Sequence, residues 1–229
     1  MNHNFSALLA VAALGLGFAG CSTSGSKSSA TPIALFNGRD LAGWQHVLAD
    51  PAVSRDAVWS VRDGMIVCRG EPLGVLHTAA SFTSFRLVVE YRWAPGQKPG
   101  NSGILTRING PARALPRCAE VQLQHGNAGD VLGLHGQPVA AGQPRSFEVK
   151  AHPVAGDIIG IRKLADAEQP AGEWNRVEVL AQGGRYTVRM NGQQINEVTG
   201  VAVVAGPIGL QSEGGEIHFR RVALTPLAD

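Results

Sequence analysis

The sequence predicts an all-β protein, a two-sheet antiparallel β-sandwich of the jelly-roll kind with one sheet curved. Three observations predict it. Short apolar or alternating runs recur along the chain with turn residues between them, and no segment carries a convincing helical period. The 29 glycines are dispersed, as turns require, rather than gathered in a low-complexity stretch. Three segments (Glu90-Tyr91-Arg92, residues 101–107 and Glu120-Val121-Gln122) place charged or amide side chains at every second position. In a strand a period of two is one face, so each segment offers one apolar and one polar face. Such a polar face serves equally as solvated surface or as the floor of a sugar-binding cleft.

The N-terminus stands apart from the fold. Residues 7–20 form an apolar stretch too short to span a bilayer comfortably, and it ends in Phe18-Ala19-Gly20-Cys21. That ending resembles a bacterial lipobox, in which the cysteine is lipidated and becomes the new N-terminus. Phe18 stands where Leu is usual, and residues 1–6 contain no Lys or Arg. An ordinary secretory signal or a core helix are the plainer alternatives. The expectation is a lipoprotein signal peptide over 1–20, a lipidated Cys21 opening a flexible Ser-rich tether over 21–31, and a folded domain over 32–229. The chain is then exported and anchored to the bacterial cell envelope, touching the membrane only through Cys21. Ser22 after the cysteine favours the outer membrane.

Within the domain, residues 58–61 and 65–68 flank Asp63-Gly64, a strong hairpin signal. Residues 85–93 alternate, with Phe85, Leu87, Val89 and Tyr91 on one face and Arg86, Val88, Glu90 and Arg92 on the other. Residues 104–108, 120–124 and 157–162 are further strands. Residues 176–181 and 186–190 flank Gly183-Gly184, and Asn191-Gly192 turns into 193–198. Residues 207–211 and 217–224 close a series of roughly a dozen strands. Residues 125–156, rich in Gly, Pro and His, are the one long irregular stretch. Trp44 and Trp59 are assigned to the core, and His218 faces away from Ile217 and Phe219.

Bulk numbers exclude several classes. A length of 229 residues suits one sandwich domain. A formal charge of +2, with no Lys/Arg run, argues against a nucleic-acid partner. Cys68 and Cys118 make no Cys-x-x-Cys pair. An exported compartment permits a disulfide between them, and two buried free thiols are an equal reading. No His-Glu-x-x-His or EF-hand pattern appears, so no metal or other cofactor is signalled.

Several segments come in a recognisable order: Leu35-Phe36-Asn37-Gly38-Arg39-Asp40-Leu41-Ala42-Gly43-Trp44, Trp59-Ser60-Val61-Arg62-Asp63-Gly64-Met65-Ile66, residues 85–92, Asn101-Ser102-Gly103-Ile104, Glu120-Val121-Gln122, Gly172-Glu173-Trp174-Asn175, Asn191-Gly192, residues 206–211 and Ile217-His218-Phe219-Arg220. In this order they resemble the 3-keto-disaccharide hydrolase domain family over about residues 33–225. The resemblance implies a concanavalin-A-like sandwich and cleavage of glycosides already oxidised to a ketone at sugar carbon 3. In the family, the stretch after Glu-x-Gln often runs into acidic residues. Here it is Leu123-Gln124-His125-Gly126-Asn127, which leaves the catalytic acid or base of this loop open.

Such cleavage has definite chemical needs. The ketone acidifies the proton on carbon 2, and the glycosidic oxygen on carbon 1 is β to the carbonyl. Proton abstraction, enolate formation, loss of the aglycone and water addition then follow. A general base, a group for the enolate and an acid at the leaving oxygen are required. Glu120 is the first choice for the base, with a solvated or ion-paired strand residue as the plain alternative. Arg107 suits the enolate or pairs across strands. His125 is three residues past Gln122 and can reach the same cleft. Glu90, Arg92, Asn101, Ser102, Gln122, Trp174 and Gln211 are candidate sugar contacts. Their alternatives are cross-strand pairing for Glu90 and Arg92, turn formation for Asn101 and Ser102, and packing for Trp174.

The competing reading is a non-catalytic, lectin-like module, because the same sheet face serves both. A retaining β-glycanase needs two carboxylates about 5 Å apart, and related sandwiches carry Glu-x-Asp-x-x-Glu on one strand. The corresponding segment here is Glu-Val-Gln-Leu-Gln-His from Glu120, which counts against that third reading.

Overall fold

A computed structural model describes Met1 and residues 31–140, 142 and 144–228. The signal-peptide, Cys21 and tether readings fall outside these residues. The strands in chain order are β1 (Ile33–Ala34), β2 (Trp44–Leu48), β3 (Trp59–Arg62), β4 (Met65–Cys68), β5 (Gly74–Thr78), β6 (Phe85–Trp93), β7 (Gly103–Asn109) and β8 (Arg117–Gln122). There follow β9 (Val131–Gly133), β10 (Ser146–His152), β11 (Gly156–Ile161), β12 (Asn175–Gln182), β13 (Arg185–Met190), β14 (Gln193–Val198), β15 (Gly209–Ser212) and β16 (Ile217–Pro226). One short helix, α1 (Arg55–Val58), precedes β3.

The strands form two antiparallel eight-stranded sheets, as a jelly-roll sandwich requires. The first runs β14-β13-β12-β6-β16-β4-β3, with β1 added on β16. The second runs β10-β11-β9-β8-β7-β15-β5-β2. The β3–β4 turn puts Asp63 at φ 51° and Gly64 at φ 74°, the left-handed pair that a two-residue hairpin needs. Asn191 and Gly192 repeat this between β13 and β14 with φ of 51° and 86°.

Alternation decides which side chains enter the core. Phe85, Leu87, Val89, Tyr91 and Trp93 of β6 are buried between the sheets, and Trp44 and Trp59 join them. A second apolar cluster contains Val75, Leu105, Cys118 and Leu132 and lies on the other face of the second sheet. Cys68 belongs to the first cluster and Cys118 to the second, so the two thiols are separately buried and free. Burial pushes the Cys68 thiol up to about 11 and Cys118 well above the thiol range.

Residues 125–156 are not one irregular loop: β9 and β10 lie wholly inside them. β9 has three residues, too few to display a period. β10 is a sheet edge whose side chains are mostly exposed, so burial imposes no alternation on it. β2 and β5 lie outside the expected strands as well.

Candidate functional site

The site is built on the outer face of the second sheet. In β8, Ala119 and Val121 point into the core, so Cys118, Glu120 and Gln122 point the other way. Glu120 is 2% exposed. Its carboxyl lies over Gly103 on neighbouring β7, and a Cβ there would come 2.3 Å from Glu120 Oε1. Only glycine leaves room for this carboxyl to lie down on the sheet. Glu120 Oε1 has no hydrogen-bond partner. Burial first, and the charge of Glu213 second, push its pKa up to about 8.

Gln211 comes from β15, which pairs with β7 on the side away from β8. It is 1% exposed, and its Oε1 is likewise unpartnered. Two residues on, Glu213 reaches the surface half-buried. Asn101 Nδ2 donates a 2.7 Å hydrogen bond to Glu213 Oε2, while Asn101 Oδ1 is a third buried oxygen without a donor. Burial raises the Glu213 pKa, and His152 at the end of β10 and a hydrogen bond with Gln211 oppose the rise. The charge of Glu213 is what lifts Glu120 beyond the effect of burial.

Beside these groups is an open cleft of about 800 Å³, lined by Lys98, Asn101, Gln124, His125, Glu213 and glycine backbone. Gly100 and Gly214 close its wall: a Cβ on Gly100 would meet Gly214 O at 2.0 Å. His125 Nδ1 lies 3.2 Å from Glu168 Oε2. Gln122 accepts the Leu123 and Gln124 backbone N–H groups at 3.0 and 2.9 Å, so its carbonyl shapes the loop carrying His125.

The structure thus brings Glu120, Asn101, Gln211 and His125 together, with Gln122 in support. It places five other candidates elsewhere. Arg107 is fully buried and donates to the carbonyl oxygens of Thr83, Ala202 and Gly183. A bulge between Thr106 and Asn109 and a φ of 52° at Arg107 break the alternation that would have aimed it at the cleft. Ser102 is fully buried, and its hydroxyl donates to Gln211 O at 2.8 Å, tying the start of β7 to β15.

Glu90, Arg92 and Trp174 belong to the outer face of the other sheet, with the whole core between them and Glu120. Glu90 Oε2 accepts from Arg220 Nε at 2.7 Å. The guanidinium carbons of Arg92 and Arg220 lie 4.7 and 4.2 Å from the centre of the Trp174 ring. Alternation correctly gave these residues a polar face, but not which sheet owned it.

Glu213, His152, Lys98, Gln124 and Glu168 are site residues that sequence reasoning missed. Glu213 sits two positions after Gln211, so a period of two was its signal. His152 ends an edge strand without alternation and carried none. Among the described residues, no cluster of three His, Cys, Asp or Glu side chains forms a metal site.

The fold is a two-sheet antiparallel β-sandwich of the jelly-roll type, with this polar face on its second sheet. Residues 31–225 match the family described as the 3-keto-alpha-glucoside-1,2-lyase-like domain, and the chain belongs to that family. No curated protein matches it. Solved structures share the fold at low identity. A Parabacteroides distasonis ATCC 8503 protein, provisionally described as a glycosyl hydrolase, is 20% identical with a TM-score of 0.61, over 86% of this chain and 94% of that one. The Bacillus licheniformis β-glucanase is 11% identical with a TM-score of 0.56, over 88% and 100%. The carbohydrate-binding module CBM66 of Bacillus subtilis is 14% identical with a TM-score of 0.54, over 80% and 95%.

Proposed function

We propose that the protein cleaves 3-keto-glycosides by elimination and hydration at the Glu120 face of the second sheet. One observation carries the reading. Glu120 Oε1, Gln211 Oε1 and Asn101 Oδ1 are buried acceptors without donors; Asn101 lines an open cleft, as does Glu213, whose carboxyl couples to Glu120 and Gln211 behind it. Buried acceptors are ordinarily paired, so these three call for a ligand rich in O–H donors. A sugar is such a ligand.

In this reading Glu120 removes the proton from carbon 2. A base is most useful when its pKa is near the working pH, and about 8 meets that condition. The displaced electrons form the enolate on the carbon 3 oxygen. With Arg107 buried elsewhere, Lys98 at the cleft is the cation within this site that can face it. Collapse of the enolate breaks the bond from carbon 1 to the leaving oxygen, and His125 supplies the proton that oxygen needs. Water then adds at carbon 1, a proton returns to carbon 2, and the two side chains are reset. Asn101, Gln211 and Glu213 hold the sugar hydroxyls. Export and lipid anchoring at Cys21 belong to the same proposal, since they place the enzyme where oxidised sugars from outside the cell arrive.

The test uses a purified 3-keto-disaccharide and its unoxidised parent. Cleavage of the keto sugar alone, lost in Glu120→Gln with the fold intact, is the expected result. Cleavage that survives Glu120→Gln would remove Glu120 as the base. Binding of both sugars without cleavage would leave a carbohydrate-binding module.

A further inference from the structure

We infer that Glu168 is a positioning residue: it fixes the His125 ring with Nδ1–H turned inward and Nε2 turned toward the cleft. The inference rests on the cleavage reading for its purpose, though the ring geometry stands without it. Glu168 follows β11 in a connection far from β8 in sequence, yet its side chain is only 7% exposed. A buried carboxylate persists where donors surround it. Three do so here. Tyr91 Oη donates to Oε1 at 3.1 Å, the Gly126 backbone N–H donates to Oε2 at 3.0 Å, and His125 Nδ1 is 3.2 Å from Oε2.

Each donor constrains the imidazole differently. Tyr91 rises from the core side of β6 in the other sheet, so the carboxylate is pinned to the rigid centre of the sandwich. Its phenol is held well above the usual range by burial, with Glu168 adding to the effect, so it remains a donor. Gly126 adjoins His125, so the same carboxylate oxygen holds both the ring and the peptide that carries it. A carboxylate only accepts, so Nδ1 must keep its hydrogen. Nε2 is then the atom left to exchange a proton with a bound sugar. The plain alternative is an accidental ion pair at a surface histidine, which would leave the ring free to choose its tautomer.

Nitrogen-15 spectra of the full protein, at a pH where the ring is neutral, decide between these. The expected wild-type result is His125 in the Nδ1–H form. Glu168→Gln should release that preference and lower kcat for a 3-keto-glycoside on the order of 10²-fold with little change in KM, while Glu168→Asp restores part of both. A wild-type ring found mainly in the Nε2–H form overturns the inference, without reliance on any variant. So does a Glu168→Gln protein with unchanged tautomer and unchanged kcat. If wild-type protein cleaves no 3-keto-glycoside, the cleavage reading fails, and the tautomer still decides whether Glu168 fixes the ring.

Discussion

Replacing Glu120 by Gln should stabilise the protein while abolishing its activity, and the stabilisation should depend on pH in a defined window. The folded carboxyl has a pKa of about 8 against 4.5 for the ordinary group. Between those values the native state keeps a proton that the unfolded chain releases. Wild-type stability therefore falls as pH rises through the window, by about 1.4 kcal/mol per pH unit. The loss reaches about 3 kcal/mol at pH 7 and at most about 5 kcal/mol above pH 8. Such amounts are a large share of the 5–15 kcal/mol that holds a typical domain, roughly speaking. Glutamine has nearly the same shape and no charge. Urea unfolding of both proteins from pH 4.5 to 9 measures the difference directly. The gap should open with rising pH and close near pH 4.5. A gap that stays constant across the window would refute the buried, proton-holding carboxyl. With the keto substrate, wild-type kcat/KM should pass through a maximum with pH, because the base must be ionised while the acid at the leaving oxygen is still protonated.

Gly103→Ala should destabilise by about 1–3 kcal/mol in denaturant unfolding and cut kcat on the order of 10²-fold, because the new methyl displaces the Glu120 carboxyl. Arg107→Met should cost about 3 kcal/mol or more in the same assay, since the Thr83, Gly183 and Ala202 carbonyls lose their donor. Arg107→Lys should not rescue it, as an ammonium cannot reproduce the fork. Trp174→Ala and Glu90→Ala should leave kcat/KM within about twofold of wild type, for they sit across the core from the cleft. Cys21→Ala should move the expressed protein from the membrane fraction to the soluble exported fraction, read by blotting.

Strand content and face assignment were legible because they depend on neighbours in the chain. A two-residue period in β6 and β8 is enough to separate Tyr91 from Glu90 and Val121 from Glu120, and Asp63-Gly64 and Asn191-Gly192 announce their turns by backbone preference alone. The same locality explains the failures. Arg107 continued a run of alternating residues, but a bulge in β7 turned it into the interior, where it binds three carbonyl groups. Glu90 and Glu120 carry the same local signal, and nothing within a few residues of either says that they lie on opposite sheets. β10 gave no signal because an exposed edge does not have to alternate.

The sequence by itself therefore determined the architecture, the resemblance to a family and the choice of Glu120 as the carboxyl to examine. Only the tertiary structure decided what surrounds it: Gly103 beneath the carboxyl, Gln211 and Glu213 from the far end of the chain, and Glu168 behind His125. Alternation is set by the geometry of one strand, whereas desolvation and charge coupling arise between strands remote in sequence. A carboxyl's proton affinity belongs to the second kind.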